Sequence, residues 1–233
     1  MLLEITLKDL INPEFYILYG GLWLFLFIVY AETGLFAGFF LPGDSLLFVA
    51  GIYSSELITK GLRIDMGSDF MHLLLLTIMV VICGIAGNAT GYWFGRKSGP
   101  ALYNRKDSFF FKKKYLQKAH DFYERNGAGT IVIARFLPII RTFAPIVAGI
   151  VEMDRKKFTF YNIVGCIAWS FTMLFAGHYL YKLILDEWGV DLKQHLEIIV
   201  LGIVFVTTAP VLWKLFVSKS SAKSHEPKND IIP

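Results

Sequence analysis

The chain has 233 residues, 55% of them hydrophobic and 16% aromatic, and its mean hydropathy is +0.53. Only 18% are charged, against roughly 25% in soluble domains, which excludes an ordinary soluble fold and points to an all-α polytopic membrane protein. The net charge of +4 fits Lys- and Arg-rich cytoplasmic loops, and nucleic acid is not an expected partner.

Residues 1–14 are short and mixed, with Glu4, Asp9 and Glu14 against Lys8. No secretory leader is expected, because the first apolar run is far longer than a leader core. From Phe15 to Tyr53 the chain is almost continuously apolar, interrupted by Glu32 and Asp44. That length predicts one spanning helix of ~20 residues followed by a further intramembrane element at 32–54. Residues 54–70 are polar, and 71–95 form a second span. Gly84, Gly87, Gly91 and Gly95 lie on one face of that span, a pattern for close helix packing. The segment 96–126 is strongly basic and places its side of the membrane in the cytoplasm. Within it, residues 107–126 predict an amphipathic interfacial helix, with Phe111, Tyr115, Ala119 and Phe122 on one face.

Residues 128–151 are oily but carry Arg135, Pro138, Arg141 and Pro145. Spanning the bilayer would put two arginines on one helix, at roughly 2.5–3.5 kcal/mol each near the centre. It would also place Arg155, Lys156 and Lys157 outside, against the positive-inside rule. A re-entrant loop that dips in from the cytoplasm and returns avoids both problems. Residues 158–181 and 196–217 then form two more spans, and the polar tail from Ser218 is expected to be disordered in the cytoplasm. The whole of 1–217 reads as a single transmembrane domain.

The first half repeats this logic. FFLPGDSLLFVAGIY (39–53) and RFLPIIRTFAPIVAGIV (135–151) share Phe-Leu-Pro followed by Ala-Gly. The expectation is therefore about four transmembrane helices plus two oppositely oriented re-entrant loops, at 32–54 and 128–151, in an inverted repeat. Pro42 and Gly43 supply the outer turn, with Asp44 available as a helix cap. Pro138 breaks the inner segment, with Thr142 as the cap and Pro145 in the first turn. The two arginines are expected to converge, either on an anion, or on Glu32 and Asp44 as an ion-pair lock, or on each in turn. Glu32, between apolar neighbours, is a candidate proton carrier. Asn88 and Asn162 are candidates for a hydrogen bond across the repeat interface. His72 and His178 read as interfacial residues, and Cys83 and Cys166 as small buried hydrophobes. No metal-ligand cluster, nucleophile elbow or P-loop is present in the sequence, so neither an enzyme nor a metal or other cofactor is expected.

The stretches ETGLFAGFFLPGDSLLFVAG (32–51), GNATGYWFGRKSG (87–99) and RFLPIIRTFAPIVAG (135–149) resemble the DedA family of bacterial inner-membrane proteins, related to eukaryotic VTT-domain lipid scramblases. The resemblance covers roughly residues 20–180. It rests on a glutamate twelve residues before the Asp of Pro-Gly-Asp, and on two arginines six apart around a proline. It implies that the family's essential acids fall on Glu32 and Asp44 and its essential arginines on Arg135 and Arg141. It further implies a multi-pass transporter of the inner membrane that recycles undecaprenyl phosphate, in some members with the proton gradient. Its partners would be a polyprenyl phosphate or phospholipid headgroup, protons and membrane lipids, with a homo-oligomer left open. A broad phospholipid scramblase and a proton-coupled carrier of small ions are the alternatives.

Overall fold

The computed structural model describes residues 13–34, 43–104, 127, 129–136 and 138–189. The expected interfacial helix at 107–126, the last span at 196–217, the tail, the first twelve residues and Pro42 lie outside them. The described residues form helices and turns without a strand: α1 (Pro13–Gly34), α2 (Gly43–Ile52), α3 (Ser54–Leu62), α4 (Asp69–Asn104), α5 (Thr130–Ala134), α6 (Pro138–Ile150) and α7 (Arg155–Trp188).

Two helices organise the rest. α4 has 36 residues and α7 has 34, so they are about 54 and 51 Å long at 1.5 Å per residue. Each contains an apolar stretch long enough to cross a bilayer. The start of α7 is set by Asp154, whose side chain accepts from the Lys157 backbone N–H at 2.9 Å. Its end is set by Gly189 at φ 64°, a left-handed conformation that suits glycine. The two long helices run antiparallel: Gly84 faces Cys166 near their middles, while Asp69 at the start of α4 meets Lys182 near the end of α7.

The shorter apolar helices form two hairpins against this pair. α1 is broken at Gly21 (φ 62°, ψ −165°). From there to Gly34 it runs in the same direction as α4, with Tyr30, Thr33 and Gly34 on Gly87 and Gly91. α2 then returns antiparallel to α1 and packs on α7, Gly51 against the Leu174 carbonyl and Gly177 against that of Phe48. The second hairpin mirrors the first. α5 enters along α7, with Val132 and Arg135 on Gly165. α6 returns along α4, with Ile146 on Gly95, Ile150 on Gly99 and Gly149 on the Tyr92 carbonyl. Each entering arm thus packs on the long helix of its own half, and each returning arm on that of the other half. The Ala-Gly pairs shared by the two halves mark the contact each returning arm makes: Gly51 on α7, Gly149 on α4.

Three expectations change. The first apolar run is not one straight helix: α1 is kinked at Gly21 and ends at Gly34. The break at Gly21 leaves a helix of about 21 Å, and its packing on α4 makes it the entering arm of the hairpin, with 43–62 as the returning side. Thr142 and Pro145 do not cap or open the returning helix of the second hairpin. α6 already begins at Pro138, where a proline fits because the first helical N–H has no intrahelical partner. Pro145 therefore lies inside the helix and leaves the residue 141 carbonyl without its usual donor. The chain turns earlier, at Arg135 and Phe136, whose N–H groups close onto Val132 and Ile133.

The glycine face of α4 does what its pattern predicts. A Cβ on Gly87 would lie 2.0 Å from Thr33 Oγ1, and one on Gly95 2.0 Å from the Ile146 carbonyl oxygen. Around this tightly packed interior, many large apolar side chains face outward, including Trp23, Phe27, Ile82, Trp93, Phe160 and Phe171. So much exposed apolar surface fits contact with lipid rather than water.

Candidate functional site

The ends of the hairpin arms meet midway along the long helices. Glu32 ends the entering arm of the first hairpin, and Asp44 sits in the first turn of its returning arm. Arg135 follows α5, and Arg141 lies in the first turns of α6. The acids of one half therefore face the arginines of the other.

Arg141 spans the two acids. Its Nη2 donates to Glu32 Oε1 and its Nη1 to Asp44 Oδ1. Glu32 is 1% exposed, so this is a buried, charge-assisted fork. Gly43 allows the approach: a Cβ there would fall 1.4 Å from Glu32 Oε2. The Pro-Gly-Asp motif thus needs its glycine for space. Asp44 is held a second time by Trp169, whose indole Nε1 donates to Oδ1 at 2.9 Å. With Oδ1 so engaged, Asp44 serves the site, a role beyond the helix cap considered from its position.

Arg135 does not join the acids. It is 5% exposed, and its Nη2 donates to Asn162 Oδ1 at 2.9 Å and to Cys166 Sγ at 2.7 Å. Asn88 meets Asn162 at 2.7 Å, the cross-repeat bond expected from sequence. The two arginines share the Trp169 ring, with guanidinium carbons 5.8 Å (Arg135) and 5.0 Å (Arg141) from its centroid. They converge on one tryptophan while keeping separate partners. Trp169 and the partnership of Cys166 with Arg135 were not legible in the sequence. A tryptophan in an apolar span reads as core packing until the fold brings Asp44 to its indole.

The remaining candidates fall elsewhere. His72 accepts from the Met66 N–H at 3.1 Å, and His178 Nδ1 lies 3.4 Å from Ser54 Oγ. Both belong to the end of the bundle where α4 begins. At the opposite end, Tyr92 stacks on Phe158 at 4.3 Å, and Arg96 donates to its hydroxyl at 2.8 Å. Neither group reaches the hairpin tips.

Comparison with known proteins fits this arrangement. Residues 41–179 match the VTT domain. Protein DedA of Escherichia coli is 36% identical over 205 residues, covering 87% of this chain and 86% of that protein. The chain belongs to the DedA family. Another member, an uncharacterized membrane protein of Mycobacterium leprae, is 38% identical over 92% of this chain and 90% of its own length. Inner membrane protein YqjA of Escherichia coli is 29% identical over 89% and 90%. No solved structure matches the chain. The family and the long apolar helices together make this a membrane protein. The VTT match takes in Asp44, Arg135, Arg141 and Trp169, while Glu32, on α1, precedes it.

Proposed function

We propose that this DedA-family protein is a flippase for lipid phosphates in the bacterial inner membrane, with a polyprenyl monophosphate such as undecaprenyl phosphate as its substrate. The observation that carries the reading is the Arg141 fork between Glu32 and Asp44 at the meeting of two hairpins, with Arg135 buried beside it. Two guanidiniums in a low-dielectric site suit a phosphate, which they can grip bidentately. The two acids balance them when no anion is present.

In this reading the hairpins are re-entrant loops that enter from opposite faces, and the basic segment 96–126 lies in the cytoplasm. A site at mid-depth, reached from either face past one hairpin or the other, is what alternating access requires. The helix pair leaves its outer surface apolar, which suits a lipid whose chain stays in the bilayer while its headgroup crosses. No part of the reading calls for a catalytic residue or a cofactor.

Protons enter through competition. An arriving phosphate draws Arg141 away from Glu32, and a buried carboxylate left without its cation is costly, so Glu32 takes a proton. Its Oε2 is buried and has no hydrogen-bond partner among the described residues, so one oxygen is already free to hold it. Binding of anion and of proton are then linked, each tightening the other. With protons more abundant outside, loading occurs at the outer face and release at the inner face.

The test is reconstitution in liposomes with labelled polyprenyl phosphate and labelled phosphatidylcholine side by side. Selective movement of the phosphate lipid supports the flippase. Equal movement of both, indifferent to a pH gradient, would replace it with a broad scramblase.

A further inference from the structure

We infer that the two arginines are not equivalent: Arg135 is the standing receptor for the anion, and Arg141 is a latch that joins only after it leaves the acids. This rests on the phosphate reading above and specifies which side chain receives the headgroup first.

The inference follows from the partners of each guanidinium. Arg141 is fully engaged by Glu32 and Asp44, so an anion reaches it only by displacing a carboxylate. Among the described residues Arg135 has only neutral partners, Asn162, Cys166 and the Trp169 ring. Its Nε is buried without a partner among the described residues. Residues 35–42, between α1 and α2 in the sequence, include no charged residue. Arginine does not escape its charge by losing a proton. Its compensation is the Arg141 group, where two acids on one cation leave a formal charge of −1 held at a distance by Trp169.

This makes Asn162 a positioning residue of a particular kind. It fixes the Arg135 fork by hydrogen bonding and does not neutralise it. Asn162 also donates to the Ile85 carbonyl at 3.3 Å and meets Asn88, so the fork is tied to both long helices. An aspartate at 162 would keep the contact to Arg135 at the loss of the Ile85 hydrogen bond, but would occupy the arginine with a charge of its own. The ligand chemistry is a phosphate monoester dianion: one face to Arg135 on arrival, a second to Arg141 once Glu32 releases it.

The experiment measures binding to the purified full-length protein in detergent at a fixed pH of about 7.5, where a phosphate monoester is largely dianionic. The probes are farnesyl phosphate, inorganic phosphate and farnesol. Asn162→Asp should weaken farnesyl phosphate binding by about 30-fold, the scale of one lost charge-assisted contact, in a protein that still melts cooperatively. Arg135→Ala should lose at least as much, and adding Glu32→Gln, which loosens the latch, should restore part of it through Arg141. Wild-type binding by Asn162→Asp, with Arg135→Ala also unaffected, would overturn the division of roles and leave the phosphate reading standing. No binding of any phosphate by the wild type would overturn both. Farnesyl phosphate bound more tightly than inorganic phosphate, with farnesol silent, identifies the source as a lipid headgroup; equal affinity for the two phosphates identifies free phosphate.

Discussion

Gly43→Ala is the smallest change that reaches the centre of the site. The added Cβ would sit 1.4 Å from Glu32 Oε2 and 2.0 Å from its carboxyl carbon. Contact with the end of a side chain is usually cheap, because the side chain swings aside. Here it cannot: Glu32 is 1% exposed and its other oxygen is gripped by Arg141. To reach ordinary contact the carboxylate must retreat by about 2 Å, which breaks the Arg141 bond. Overpacking costs about 1–3 kcal/mol, and a lost hydrogen bond to a charged group about 1.5–3 kcal/mol. The expected loss is therefore about 3–5 kcal/mol. In a Glu32→Ala background the obstacle is gone, and the same substitution should cost under about 1 kcal/mol. Denaturation in mixed micelles followed by tryptophan fluorescence gives the four stabilities of the cycle. A coupling near zero, with Gly43→Ala equally costly in both backgrounds, would refute the claim that Gly43 exists to seat the Glu32 carboxylate.

Other consequences are reached by simpler means. Gly95→Val should destabilise the bundle by about 1–3 kcal/mol or prevent its assembly, since even a Cβ meets the Ile146 carbonyl; recovery from membranes and melting temperature report it. A cysteine at Asp154 in a Cys83→Ser, Cys166→Ser background should react with an impermeant thiol reagent only when the inner face is exposed, and labelling from outside intact cells would reverse the proposed topology. Trp169→Phe keeps a ring beneath the guanidiniums but removes the 2.9 Å bond to Asp44. It should slow transport several-fold while Trp169→Leu, which removes the ring as well, slows it further; equal rates for the two would leave the ring without a role.

What the sequence disclosed depended on whether the signal was local. Charge against hydropathy located the second hairpin, because Arg135, Arg141 and the basic run at 155–157 are incompatible with a plain span. The repeated Phe-Leu-Pro and Ala-Gly then located the first. The direction of α1 was hidden, because an apolar helix of about 20 residues and a broken one of 14 differ only in the backbone at Gly21, and a glycine in an apolar run does not announce a positive φ. The prolines misled for a related reason. Pro138 and Pro145 can each open a helix, and only the observed turn at Arg135 and Phe136 and the helix from Pro138 show that Pro138 does so. At the site, Glu32, Asp44 and the arginines stood out as charges in an oily background. Their pairing did not, because which arginine meets the acids is decided by the tertiary placement of α5 and α6. Trp169, neutral and apolar, gave no signal at all.

The central claim is that a phosphate headgroup crosses by displacing Glu32 from Arg141, with a proton taking the arginine's place. The direct measurement is the inward transport rate of labelled polyprenyl phosphate in liposomes, for wild type, Arg141→Lys and Glu32→Gln, with and without an acidic outside. The account predicts that acid outside accelerates the wild type and that Arg141→Lys is strongly impaired for want of the fork. It also predicts that Glu32→Gln still moves lipid at a rate that ignores the gradient. Wild-type transport indifferent to the gradient, or undiminished transport by Arg141→Lys, would contradict it.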